Sequence, residues 1–230
     1  MKINSSIKSD IQFKNFAKYT TRQTLVRFLV HNELFKMQMP IKGSIIECGV
    51  HHGNGIFEWA KLSSIYEPYN YHRQIIGFDT FEGFPSVNKI DLESKSNPDV
   101  KIGDFSINYD IYSEINECIL EYDKNRFLNH KEKIVLCKGN ALETIPKFIS
   151  ENKHLLVSLL YLDFDIYEPT LVALRNFLPR MPKGSVIAFD ELHNPDWPGE
   201  TIAFLESMSI EKSNLRMFPY EPNISYIVIG

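Results

Sequence analysis

Five times along this chain a short apolar run is followed by a stretch with helical periodicity. That alternation limits the fold more than any single motif does. The runs are 44–47, 74–78, 134–137, 155–162 and 185–189. The helical patterns cover 54–66, the stripe Ile115, Cys118, Ile119 and Tyr122, a segment reaching Ser150, 169–178 and 198–208. Strands that alternate with helices lie mostly parallel in one sheet, with helices on both faces. The run 155–162 is apolar almost throughout, as expected of a strand covered on both sides. Two further segments, 215–218 and 225–229, read as a closing hairpin. Upstream, Leu25, Phe28, Leu29 and Phe35 recur near the 3.6 period over 13–39, and Pro40 stops the run. The chain therefore reads as a single α/β domain over 1–230 with an N-terminal helical extension over 1–40, large enough to bury a substantial core.

Composition narrows the function classes. The net charge of −4 implies no general attraction to nucleic acid or to an anionic membrane. Cys48, Cys118 and Cys137 make no close pair, so reduced thiols are expected rather than a disulfide or zinc framework. The first ten residues lack the apolar core of a signal peptide, and no run of about 18 apolar residues exists for a membrane span. A cytoplasmic protein is the expectation.

Ligands in such sheets bind at the C-terminal ends of the strands. The stretch KGSIIECGVHHGNG (42–55) therefore draws attention. An apolar run ends in Glu47, glycines follow at 49, 53 and 55, and a helix begins. Glycines let backbone approach a ligand, and the free N–H groups of a first helical turn face it. The spacing is G-x-x-x-G-x-G, which is neither the NAD fingerprint nor a triphosphate loop.

Acids gather at the other strand ends. Asp79 closes the second run, where a carboxylate can accept both hydroxyls of a ribose, with Phe78 and Phe81 placed to flank an adenine. Asp163 and Asp165 follow the fourth run, and Asp190 and Glu191 the fifth. Successive strands of one βαβ unit neighbour each other, so these carboxylates are expected at one rim. Like charges that close raise one another's pKa, and a hard divalent cation such as Mg²⁺ relieves them. Alternatively the acids turn apart or pair with Arg175, Arg180 or Lys183.

Together the strings ECGVHHG (47–53), GFDTFEGFP (77–85), LCKGNALETIP (136–146), LLYLDFDIYEPTLVAL (159–174) and VIAFDEL (186–192) resemble the macrocin O-methyltransferase type. These are S-adenosylmethionine- and metal-dependent sugar O-methyltransferases. The resemblance implies a class I methyltransferase fold: a Rossmann-like three-layer sandwich whose seven-stranded sheet is mostly parallel, the last strand antiparallel. It implies that Glu47, Cys48, Gly49, Val50 and Gly53 surround the methionine end of the cofactor. Asp79 would hold the ribose, Asn140 and Ala141 would neighbour the adenine, and Thr80, Phe81 and Gly139 would be further cofactor contacts. Asp163, Asp190 and Glu191 would be the Mg²⁺ ligands, with Asp163 also beside the cofactor. The chain has Asp-Glu where two aspartates are common. It also lacks the histidine that family members often carry in the lid loop, here 86–110. His193, Asp99 and Asp104 are the substitutes for a base; Asp163, Asp190 and His193 form the expected catalytic set. His51 and His52 would shape the cofactor pocket.

The implied reaction is in-line methyl transfer to a hydroxyl of a small-molecule sugar or glycoside chelated to the metal. A homodimer or larger oligomer is expected. The rivals are a catechol-type or other small-molecule O-methyltransferase, a metal-independent one, and a non-catalytic module binding S-adenosylmethionine or a nucleotide sugar.

Overall fold

The computed structural model describes residues 9–93 and 100–230. Asp99 lies outside the described residues. The helices in chain order are α1 (Ser9–Lys14), α2 (Phe16–Tyr19), α3 (Arg22–Gln38), α4 (Asn54–Tyr66), α5 (Ile111–Lys124), α6 (Ala141–Glu151), α7 (Tyr167–Phe177) and α8 (Pro198–Ser207). The strands are β1 (Ser44–Cys48), β2 (Ile75–Asp79), β3 (Ile134–Lys138), β4 (Val157–Leu162), β5 (Val186–Phe189), β6 (Arg216–Phe218) and β7 (Glu221–Val228). They form one sheet in the order β3-β2-β1-β4-β5-β7-β6. β1 to β5 pair in parallel, while β7 runs antiparallel to β5 and β6. The expected α/β architecture with an antiparallel last strand is present.

Two apolar cores lie on the two faces of this sheet. Ile45, Leu159, Tyr161 and Ala188 look toward α3 and α4, where Trp59 and Phe35 are fully buried. Ile46, Leu160, Ile187 and Phe189 look toward α6, α7 and α8. Each strand divides its residues between the faces with period two. Phe78 falls on the second face and packs against Phe148 and Phe177, so it cannot flank a ligand beside β2.

The expected helix over 13–39 is in fact three pieces. Thr20 and Thr21 leave the helical region, and the Thr21 hydroxyl accepts from the Thr24 N–H to start α3 afresh. A threonine side chain competes with the helix for that amide, which favours caps over helix interiors. Leu25, Phe28, Leu29 and Phe35 all fall in α3, whose buried side is Val26, Val30, His31, Leu34, Phe35 and Gln38; of the expected stripe only Phe35 is buried, and Leu29 is exposed. α3 then crosses the C-terminal half of the sheet, packing on β4, β5 and β7.

At the opposite end, buried Arg73 ties the strand starts together. It pairs with Glu67 at 2.8 Å and donates to the Gly43 carbonyl and the Ser158 hydroxyl. The catalytic chemistry is therefore sought at the other rim.

Candidate active site

Gly49 makes the first turn off β1 possible. Its φ of +93° is one that L side chains rarely adopt, and a Cβ there would stand 1.9 Å from the Asp163 carbonyl oxygen. The turn is buckled to β2 by Asp79. One carboxylate oxygen of Asp79 accepts from the Val50 and His51 N–H groups at 2.8 Å, and the other from the Phe81 N–H at 2.6 Å. Both oxygens of what looked like a ribose acceptor are thus engaged in shaping the loop; three of a carboxylate's roughly four lone-pair sites are taken, which leaves about one for a ligand. The Thr80 hydroxyl donates to the Gly83 carbonyl, and Asn140 caps α6 through the Leu142 N–H.

These turns enclose a cleft. Gly49, Asp79, Thr80 and Phe81 form one wall, Gly139, Asn140 and Ala141 another, and Asp163 its inner end. Phe84, Phe105 and Ile107, from 77–110, roof it. Phe105 also stacks near Phe84 and Trp197. Of the other expected cofactor contacts, Glu47 and Val50 line a second, adjoining cavity. Cys48 is fully buried in the core on the far face, and Gly53 packs against Ile115; neither lines either cavity. Cys48, Cys118 and Cys137 are free thiols.

The second cavity holds the acids. Leu162 is in register with Phe189, so the next residues, Asp163 and Asp190, come side by side. They do not turn apart, and they do not pair with Arg175, Arg180 or Lys183. Instead both meet Arg27 of α3. A single guanidinium nitrogen, Nη2, lies 2.7 Å from Asp163 Oδ2 and 2.8 Å from Asp190 Oδ1. The same nitrogen donates to the Tyr161 hydroxyl at 3.1 Å, which itself donates to Asp190 at 2.8 Å. Burial pulls the Arg27 pKa down, but Tyr161, Asp190 and Asp163 outweigh it and hold the guanidinium charged.

The remaining acids sit around this pair. Burial, then Asp190, push Asp163 up; the same two causes push Asp165 up to about 8. Glu191 lines the cavity with its carboxylate bonded to the Asn194 amide. Beneath it Glu200, fully buried, accepts from the Glu191 N–H, and burial raises its pKa. Among the described residues no cluster of three or more His, Cys, Asp and Glu side chains is gathered closely enough to hold a metal ion. Two of the three expected ligands converge, and Glu191 stands at the rim.

The expected bases fare differently. His193 is exposed, has φ +65°, and lines neither cavity; its N–H donates to Thr201. Asp104 accepts from the Lys101 N–H in a turn and also lines neither. The Asp104 carboxylate is engaged by its own turn, as short polar side chains in turns commonly are. His51 and His52 do line the second cavity, edge to face with each other.

Sequence reasoning missed the groups that α3 contributes. His31 is buried, stacked on Trp59, with Nδ1 2.5 Å from Glu58 Oε2. Burial lowers its pKa in spite of Glu58. Among the residues lining the second cavity, His31 Nε2 and Glu47 Oε2 are buried without a hydrogen-bond partner. Buried polar atoms are normally satisfied, so orphans lining a cavity mark a place for a polar ligand group. A signal existed. Arg27, His31 and Gln38 share the helical stripe of Leu34, and polar residues on a buried stripe call for partners.

Burial also pushes Glu47 up to about 8 from an ordinary 4.5. Between those values the folded chain keeps a proton there that the unfolded chain has lost. Stability from this group is therefore full below the lower value and falls as pH rises through the window. Glu47→Gln is expected to flatten the fall in melting temperature between about pH 5 and 8. An unchanged pH slope in thermal melts would show Glu47 ionised throughout.

A family model for macrocin O-methyltransferase (TylF) matches residues 32–206. Among solved structures, the chain resembles CalS11, calicheamicin methyltransferase, with TM-score 0.93 and 35% identity, over 99% of this chain and 88% of that one. It also resembles the apo structure of CalS11, TDP-rhamnose 3'-O-methyltransferase, with TM-score 0.84 and 32% identity, over 99% and 89%. The O-methyltransferase NovP matches with TM-score 0.62 and 17% identity over 88% and 79%, a likeness of fold alone. No curated protein matches. No helix among the described residues is long and apolar enough to cross a membrane.

Proposed function

Because the chain belongs to the macrocin O-methyltransferase family and is an O-methyltransferase, we propose that it methylates a hydroxyl of a sugar or glycoside, using S-adenosylmethionine and a divalent cation. The observation that carries this reading is the meeting of Asp163 and Asp190 on one cationic point in the cavity that adjoins the glycine-lined cleft and shares Asp163 with it. The likeness to a TDP-rhamnose 3'-O-methyltransferase supports a nucleotide-linked deoxysugar as the first acceptor to test.

The residues suit both groups. The cleft offers close backbone at Gly49 and an acceptor site on Asp79, and the adjoining cavity an orphaned carboxyl at Glu47. On this reading Glu47 and Gly49 hold the methionine end, Asp79 the ribose, and Phe81, Asn140 and Ala141 the adenine. S-adenosylmethionine supplies an electrophilic methyl group. Mg²⁺ is commonly held by one or two carboxylates plus substrate and water, which suits Asp163 and Asp190 with Glu191 at the rim. Bound there it lowers the pKa of an acceptor hydroxyl.

The chain's own residues do the rest. Asp163 lines both cavities and so stands between donor and acceptor. Asp190 is held in place by Tyr161 and Arg27. Phe105 and Trp197 line the acceptor side and exclude water. Exposed Phe13 and Phe16 on the N-terminal helices support a homo-oligomeric contact.

The test is to incubate the protein with S-adenosylmethionine and a panel of TDP-deoxysugars, with Mg²⁺ or with EDTA. Production of S-adenosylhomocysteine together with a singly methylated sugar, lost in EDTA, is the expected result. Turnover that survives EDTA would favour a second reading, in which Arg27 is the permanent cation of the site. Cofactor binding with no transfer to any sugar would reject the sugar assignment.

A further inference from the structure

Arg27 occupies the position that the metal reading needs. One nitrogen of its guanidinium touches both Asp163 and Asp190 at 2.7 and 2.8 Å. Asp163 Oδ2 and Asp190 Oδ1 cannot hold that nitrogen and Mg²⁺ at about 2.1 Å at the same time, because two cations would then share one contact shell. Resting on the metal part of the proposed function, we propose that Arg27 is a built-in competitor for the divalent cation. It binds the same two carboxylates in the metal's place, and its displacement sets the protein's metal affinity.

Three observations support the exchange. First, the cavity is lined by more carboxyl groups than one guanidinium can contact. Glu47, Asp163, Asp165, Asp190 and Glu191 line it, and Arg27 is its one Lys or Arg among the described residues. Second, Arg27 reaches solvent while the Asp190 carboxylate it holds is buried. Its side chain is 37% exposed, whereas Asp190 is 10% exposed. Third, there is somewhere for it to go. Arg27 also lines a neighbouring cavity, which Asp190 and Glu191 share and which Gln23 and Thr24 of its own helix and Glu221 and Asn223 at the start of β7 complete. Glu221 offers the displaced guanidinium a second carboxylate. Until displaced, Arg27 keeps the acid pair compensated, since two buried carboxylates without a cation would be costly.

The experiment titrates Mn²⁺, as a spectroscopically visible divalent cation, into the full chain and reads binding by electron paramagnetic resonance and calorimetry, with no turnover involved. Arg27→Met is expected to bind Mn²⁺ about tenfold tighter or more than the wild type, since it removes a like charge from the site. Arg27→Lys, which keeps the charge, is expected to stay within about threefold of the wild type on the same argument. Glu221→Gln is expected to weaken binding by removing the alternative partner. If Arg27→Met fails to fold, as judged by circular dichroism, Arg27→Gln carries the same expectation. Equal or weaker Mn²⁺ binding in the folded, uncharged variant overturns the competition while leaving the metal reading intact. Absence of Mn²⁺ binding in both wild type and variant overturns the metal reading and the competition with it.

Discussion

Replacing Asp190 with Asn is expected to lower kcat by roughly 10²–10³-fold, the range seen when one preorganised electrostatic partner is removed. The amide keeps the size of the carboxylate and can still accept from the Tyr161 hydroxyl, so packing is preserved. What it loses is one of the two charges that define the cation point with Asp163. Asp190 lies outside the walls of the cofactor cleft. The affinity for S-adenosylhomocysteine, measured by calorimetry, should therefore stay close to the wild-type value. Full activity in this variant would remove Asp190 from the reaction. A parallel collapse of cofactor affinity would mean instead that the substitution had disturbed the glycine turn.

A methyl group at Gly49 should be the most damaging small change in the molecule. Its Cβ would stand 1.9 Å from a backbone carbonyl oxygen and 2.7 Å from the carbon of the same group, both belonging to Asp163. Backbone cannot rotate out of the way as a side-chain tip can. The φ of +93° adds strain for any residue with a Cβ. Overpacking and backbone strain together suggest a cost of about 3 kcal/mol or more. For a chain of this length that is a fall in Tm of roughly 6–12 °C. The same displacement would move Asp163 at the meeting of the two cavities, so methyl transfer should fall with it. Gly55→Ala is the control. Its Cβ would meet the Glu47 carboxylate at 2.5 Å, the movable end of a side chain, and should cost less. Equal melting temperatures for Gly49→Ala and wild type would contradict the close approach of β1 and β4 on which the site rests.

Much of this was legible in advance because it follows from local patterns. The alternation of apolar runs with helical stripes implied parallel strands, and the ends of those strands named Asp79, Asp163 and Asp190 as rim residues. Register then had little freedom. Asp163 and Asp190 each follow a residue of the pair Leu162 and Phe189, so their proximity is a consequence of two adjacent strands ending together. The errors were also local. Phe78 was read as a pocket wall because it precedes Asp79, but strand alternation turns it into the opposite core. His193 was chosen for its place after the acid pair, yet its backbone enters the left-handed region and leaves the side chain exposed.

The amino-acid sequence by itself determined the strands, their parallel run, the glycine turn and which acids stand at the rim, since each depends on spacing within a few tens of residues. Only the tertiary structure decided what those acids meet. Arg27 reaches Asp163 from 136 positions away, and His31 reaches Glu58 from the same helix. Those contacts depend on where α3 crosses the sheet and on which side it presents. That is a matter of packing between elements, and the spacing of residues along α3 does not carry the address of its partner.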